Sequence, residues 1–414
     1  MGREFTRAPR TAGEGNLRGM FSGRTPAPGA QNRLTKALAA HGRPVLDLTA
    51  TNPTRAGLPV DPAPALSLLA GAGGGTYVPD PRGLPSAREA VSAYYAARGT
   101  DADAASLVLT ASSSEAYSWL FKLLAEPGDA VLVPAPSYPL LDALAALEGV
   151  ALVRYRLPEE DRWAVHADLV AEAVARATAS GRRVAAAVLV NPNNPTGTSI
   201  SRDELGALSA LAARNGFALV SDEVFLDFRF DDRPGDVRVA AADAGEALVF
   251  SLGGLSKSAA LPQLKLGWIL ANGPAPLLGE ALERLAWIAD SYLSVGTPVQ
   301  VALPGLLSWG EGAAAALRSR LRANHTALAT AFSDRPEATV APLSAGWSAL
   351  LRLPAVEPEE ELVLRLLEEE ALLVHPGYFF DFPHEAFLVV SLLPPEETFR
   401  EGAARLARSI SPKR

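Results

Sequence analysis

Between Leu107 and Leu270 the chain alternates short apolar runs with stretches whose apolar positions recur at helical spacing. The runs Leu107–Thr110, Ala130–Val133, Ala185–Val190, Ala218–Ser221, Ala247–Ser251 and Gly267–Leu270 are candidate strands. Several are apolar throughout rather than alternating, the pattern of a sheet covered by helices on both faces. Ser114–Leu124 and Arg202–Asn215 read as helices between them, and the second opens with Ser201 and Glu204 at capping-box spacing. The fold class predicted is α/β, a mostly parallel, doubly wound sheet whose ligands lie at the carboxyl ends of its strands.

Past Leu278 the strands thin out. Helical patterning runs to Phe332, followed by a mixed segment through Leu351, Val374 and Leu388–Leu392. The expected organisation is a tail over 1–30, an N-terminal segment over 31–56 that joins a smaller α+β domain, a large domain over 57–290, and a helical link with the small domain over 291–414. The tail is rich in Arg, Gly and Pro without apolar periodicity and reads as disordered, with Met20 as an alternative start.

Composition narrows the function. A net charge of −8 with no basic run argues against nucleic acid. No apolar run reaches membrane-spanning length, and Val184–Val190 reads as a buried strand. The absence of Cys removes disulfides and thiolate chemistry and fits the cytoplasm, while the five His residues show no metal-ligand spacing. Arginine is the default cation. Lys36, Lys122, Lys257, Lys265 and Lys413 are the only lysines among 38 basic residues, so a lysine inside the chain draws notice.

Four segments could carry chemistry, and each has a plain structural reading beside it. Ser251-Leu-Gly-Gly-Leu-Ser-Lys257 places a lone lysine after a strand and a glycine pair expected to form a tight loop. It is a nucleophile if held out of water and a solvated loop lysine otherwise. Val190-Asn-Pro-Asn-Asn-Pro-Thr-Gly197 sets carboxamides on a proline-stiffened loop, or is a turn. Asp222 closes a buried strand, as an ion-pair partner for a cationic ring or as a helix cap. Ser112, Ser113 and Ser114 open a helix, as a phosphate cradle or as an N-cap.

Their order along one sheet resembles the class I and II aminotransferases of pyridoxal-5′-phosphate (PLP) fold type I, over roughly Leu48 to Ser391. The resemblance implies a PLP enzyme exchanging an amino donor and a keto acceptor by a ping-pong cycle. It implies that Lys257 carries the cofactor as a Schiff base and shuttles a proton, and that Asp222 pairs with the ring nitrogen. Asn194 would bind the phenolic oxygen, Ser112 to Ser114 the phosphate, and Tyr138 would stack on the ring. Tyr77 looks like the tyrosine that reaches the phosphate of a neighbouring subunit, which implies a homodimer.

The pattern breaks at four places. Phe225 stands where the family has a tyrosine, Gly254 where it has a hydroxyl, and Lys265 where it has an arginine at the phosphate. Val389 replaces the arginine that grips the substrate carboxylate, and no arginine lies between Arg365 and Arg400. Either another cation grips the carboxylate, or the substrate has none and the aromatic run Tyr378–Phe382 receives it. The first reading is preferred: the segment from Thr51 and Asn52 to Arg55 resembles the loop that borders the substrate, with Arg55 as the clamp. A PLP lyase or decarboxylase on the same fold is the alternative chemistry. A binding protein that has lost its catalysis is the non-enzymatic one, and the intact Lys257, Asp222 and Asn194 stand against it.

Overall fold

A computed structural model describes residues 21–26, 31–71, 73, 75–231 and 233–410. Apart from 21–26, the tail expected over 1–30 lies outside the described residues.

All six predicted strands form, and a seventh joins them. The order across the sheet is Leu107–Thr110, Gly267–Asn272, Val249–Gly254, Ala218–Asp222, Val184–Val190, Ala130–Ala135 and Ala151–Arg156. Only Gly267–Asn272 runs antiparallel to its neighbours; the other pairings are parallel. Ala151–Arg156 escapes a periodicity search because it is an edge strand, half-buried along most of its length and carrying two arginines. Arg154 there binds Asp142 and Asp381, which suits an exposed edge better than an apolar one.

Helices cover both faces. Leu120, Phe121, Val131, Val188, Val220, Phe250 and Ile269 form the core on one side of the sheet. Val91, Leu132, Leu189, Leu219, Val249 and Leu270 face the other. The helix Arg202–Asn215 begins with the predicted capping box, in which Glu204 N–H donates to Ser201 Oγ and Ser201 N–H donates to Glu204 Oε2.

The glycine pair before Lys257 is corrected by the structure. Gly253 and Gly254 are the last residues of the strand Val249–Gly254, not a loop. Their smallness serves packing across the sheet. A Cβ on Gly253 would lie 2.5 Å from the Trp268 indole nitrogen, and one on Gly254 would lie 3.0 Å from Gly267 Cα and 3.1 Å from the Leu266 carbonyl oxygen. The hydroxyl expected from the resemblance at position 254 has no room.

A second sheet, antiparallel, runs His375–Pro376, Phe387–Ser391, Ser348–Arg352 and Thr339–Val340. Leu46–Asp47 pairs beside it with Leu372–Leu373. Leu351, Leu388, Val390 and Phe399 make its core. The helical stretch predicted from Leu278 to Phe332 is two helices, Ala275–Tyr292 and Thr297–Ala331. They part where Leu293 turns left-handed at φ 52° and Pro298 starts the next helix. Thr297–Ala331 serves both regions: Leu303 and Leu306 pack on the large sheet, and Leu317, Leu321 and Leu328 pack in the second core.

Among the described residues, no helix is long and apolar enough to cross a membrane. No group of His, Cys, Asp and Glu among them could hold a metal ion.

Candidate active site

The carboxyl ends of three parallel strands meet at Asp222, which lies in register with Val190 on one side and Leu252 on the other. Beyond Gly254 the chain turns into the short helix Leu255–Ser258, which carries Lys257. The ammonium nitrogen sits 4.6 Å from the centre of the Trp347 ring and 5.7 Å from that of Phe225. Burial pushes this amine down to about 8, against the charge of Asp222, which favours the ammonium. A large neutral fraction near physiological pH is what a nucleophilic lysine needs. Phe225 belongs to an aromatic wall: its ring packs edge-on against Trp347 at 5.5 Å, and Trp347 packs likewise on Phe228 at 5.0 Å.

Asp222 is fixed by two donors. Tyr117 donates its hydroxyl to Oδ2 at 3.1 Å and the Val224 amide donates to Oδ1 at 3.2 Å. Burial raises the carboxyl, while both hydrogen bonds and the charge of Lys257 pull it back down. Tyr117 and Trp347 are the two residues of this centre that the sequence reading missed. For Tyr117 a signal existed: it lies four residues beyond Ser113, on the same helix face.

The serine-rich segment behaves as an N-cap and as a candidate cradle together. Ser112 Oγ accepts from the Glu115 amide at 3.2 Å, and the Ala116 amide goes to the Ser112 carbonyl. The amides of Ser113 and Ser114, first in the helix Ser113–Leu124, make no hydrogen bond among the described residues. Such amides at a helix start bind anions. Gly267 closes against this turn, since a Cβ there would lie 3.3 Å from the Ser112 carbonyl carbon. Lys265, exposed and left-handed at φ 52°, stands two residues before it.

The Asn-Pro loop follows Val184–Val190, with cis peptide bonds at Asn191–Pro192 and Asn194–Pro195. Asn191 and Asn193 are buried and brace the loop through Val237 and Pro136 carbonyls, whereas Asn194 is half-buried and makes no side-chain hydrogen bond among the described residues. Tyr138 is 41% exposed, its ring 6.4 Å from that of Phe380. Tyr77 lies on the surface. It is 67% exposed and lines a cleft with Leu293 and Ser294, and the Ser294 hydroxyl donates to Glu115.

Val389 is buried in the same core as Phe387, Phe382 and Trp163. Phe380 and Phe382 of the aromatic run are likewise core, and Tyr378 turns outward to Glu360. Thr51, Asn52 and Arg55 are exposed on a turn in which Asn52 Oδ1 accepts from the Thr54 amide and hydroxyl. Ser391 ties this turn to the strand of Val389, donating its amide to the Leu48 carbonyl and its hydroxyl to that of Ala50. Arg55 makes no ion pair among the described residues.

Pyridoxal phosphate requires an amine of lowered basicity, a carboxylate for its ring nitrogen and an anion cradle. Lys257, Asp222 and the open amides of Ser113 and Ser114 supply that donor set, and Gly267 keeps side-chain bulk out of the cradle. On this sheet the combination defines a PLP enzyme of fold type I. A profile of aminotransferase class I and II matches residues 44–406. The chain belongs to that family and is a PLP-dependent aminotransferase.

Among its relatives, glutamate-pyruvate aminotransferase AlaA of Haemophilus influenzae is 28% identical over 388 residues, covering 90% of this chain and 92% of that protein. Human tyrosine aminotransferase is 27% identical over 375 residues, covering 87% and 80%. An aspartate aminotransferase single mutant of Thermus thermophilus superposes with a TM-score of 0.77 at 25% identity, covering 94% of this chain and 99% of that one. Alanine aminotransferase from Pyrococcus furiosus reaches 0.80 at 23% identity, covering 91% and 94%, a likeness of fold.

Proposed function

We propose that this aminotransferase works as a cytoplasmic homodimer on an amino acid whose α-carboxylate is held by Arg55. The observation that carries the catalytic assignment is a half-buried, weakly basic Lys257 close enough to feel the charge of a half-buried, doubly hydrogen-bonded Asp222. When bound, PLP supplies the aldehyde that accepts the amino group and a ring that draws electrons from the substrate's α-carbon. Lys257 anchors the cofactor and then moves the proton of that carbon. Asp222 holds the proton on the ring nitrogen. The Ser113 and Ser114 amides bind the phosphate with Lys265 adding charge, Asn194 binds the phenolic oxygen, and Tyr138 covers the ring. The division of the chain near residues 56 and 290 into large and small domains belongs to the same reading.

Arg55 is supported by its freedom from ion pairs and by the Ser391 staple that keeps its turn beside the strand of Val389. A buried carboxylate needs a cation, and a charge-assisted hydrogen bond is worth about 1.5–3 kcal/mol. Arg55→Ala therefore weakens the half-reaction on an amino acid by about tenfold or more and spares PLP binding. The check is half-reaction kinetics on an amino acid and on its decarboxylated amine, in wild type and variant. Equal effects on both substrates would discard the clamp and favour a substrate without the carboxylate, the reading that apolar Val389 supports. The same screen separates transamination from lyase or decarboxylase chemistry by whether the cofactor ends in its amine form.

The homodimer rests on exposed apolar surface. Tyr77, Val78, Trp287, Tyr292 and Leu293 are 67, 56, 74, 48 and 59% exposed, and Tyr77, Val78 and Leu293 line one cleft. An apolar surface of this kind marks an interface, and Tyr77 would reach the partner's phosphate across it. Light scattering should find a dimer for the wild type and, at micromolar concentration, a monomer for Trp287→Glu. A fully active wild-type monomer would refute the shared site.

A further inference from the structure

We propose that Tyr117 is a positioning residue for the cofactor's ring nitrogen, acting through the Asp222 carboxylate that its hydroxyl holds. This rests on the reading that Asp222 faces that nitrogen. The phenol is buried at 2% exposure on the helix Ser113–Leu124, whose first amides form the candidate phosphate cradle. One rigid element therefore sets both ends of the ring: the phosphate at its start and the acid one turn further along. The hydroxyl lies 3.1 Å from Oδ2, while the Val224 amide fixes Oδ1, so the plane of the carboxylate is set by two donors from different elements.

Tyr117 remains a donor because burial and the neighbouring Asp222 charge push its own ionisation far up. Its ring is held against Phe121 at a centroid distance of 5.9 Å, so the hydroxyl cannot swing away without disturbing the core. The hydrogen bond favours the ionised carboxyl against the penalty of burial. Without it, more of the acid is protonated in the cofactor-free protein, and the free oxygen can rotate from the ring nitrogen.

The test is a cofactor exchange read by binding rather than by turnover. Apo-enzyme, wild type and Tyr117→Phe, is titrated with PLP and with 1-deaza-PLP, in which carbon replaces the ring nitrogen. Wild type should prefer PLP, and Tyr117→Phe should erase about tenfold of that preference, equivalent to about 1.4 kcal/mol. Phenylalanine keeps the ring that fills the core, so the variant should fold. An equal loss of affinity for both cofactors, or an unchanged preference, would make Tyr117 a packing residue and overturn the proposal. Wild type binding both cofactors equally would instead show that Asp222 does not face the ring nitrogen, removing the premise.

Discussion

Replacing Lys257 by alanine should lower transamination by about 10⁴-fold, the upper end of what a positioned proton-transfer group contributes. The variant loses two things together: the covalent anchor for the cofactor, and the base that moves the α-proton. Borohydride reduction of the wild-type holoenzyme followed by peptide mapping should place the pyridoxyl group on Lys257. Label on Lys265 or Lys122 would end the assignment. The depressed basicity adds a pH signature. Only the neutral amine attacks the aldehyde, so PLP uptake by apo-enzyme should accelerate as pH rises through about 8 and level off above it.

Asp222→Asn should cost about 10²–10³-fold in kcat, because the ring nitrogen loses the partner charge that keeps its proton. A stability measurement separates this from general damage. The Asp222 carboxyl is raised by burial in the cofactor-free protein, above its value in the unfolded chain. A raised acid supports folding fully below its unfolded value, and that support is lost as pH climbs through the folded one. The apo form of Asp222→Asn should therefore melt no lower than wild type at pH 7, with any gain over wild type vanishing in acid. A variant that is inactive and also melts markedly lower at pH 7 would make Asp222 a structural residue first.

The large sheet was legible because its strands are buried on both faces, leaving continuous runs such as Val184–Val190 that composition alone exposes. Ala151–Arg156 was not, since an edge strand with two arginines carries neither a run nor an alternation. Lys257, Asp222 and the serine turn were marked by strand ends, where the fold concentrates ligands. The environment that tunes them was not. Trp347 comes from 90 residues further along, and no local pattern links it to Lys257. The glycine pair misled for a related reason: a tight turn and a close cross-strand approach both select glycine, and only the position of Gly267 and Trp268 tells them apart.

The helix Thr297–Ala331 has a consequence for how the molecule comes apart. At 35 residues it is about 52 Å long. Leu303 and Leu306 anchor one part of it under the large sheet, and Leu317, Leu321 and Leu328 anchor another in the second core. A helix propagates as a chain of dependent turns, so the two cores share one continuous element. The strand ends that carry Lys257 and Asp222 rest on one core, and the Arg55 turn is stapled to the strand of Val389. Loosening of either core is thus expected to be felt in the other, so calorimetry should find one transition rather than two.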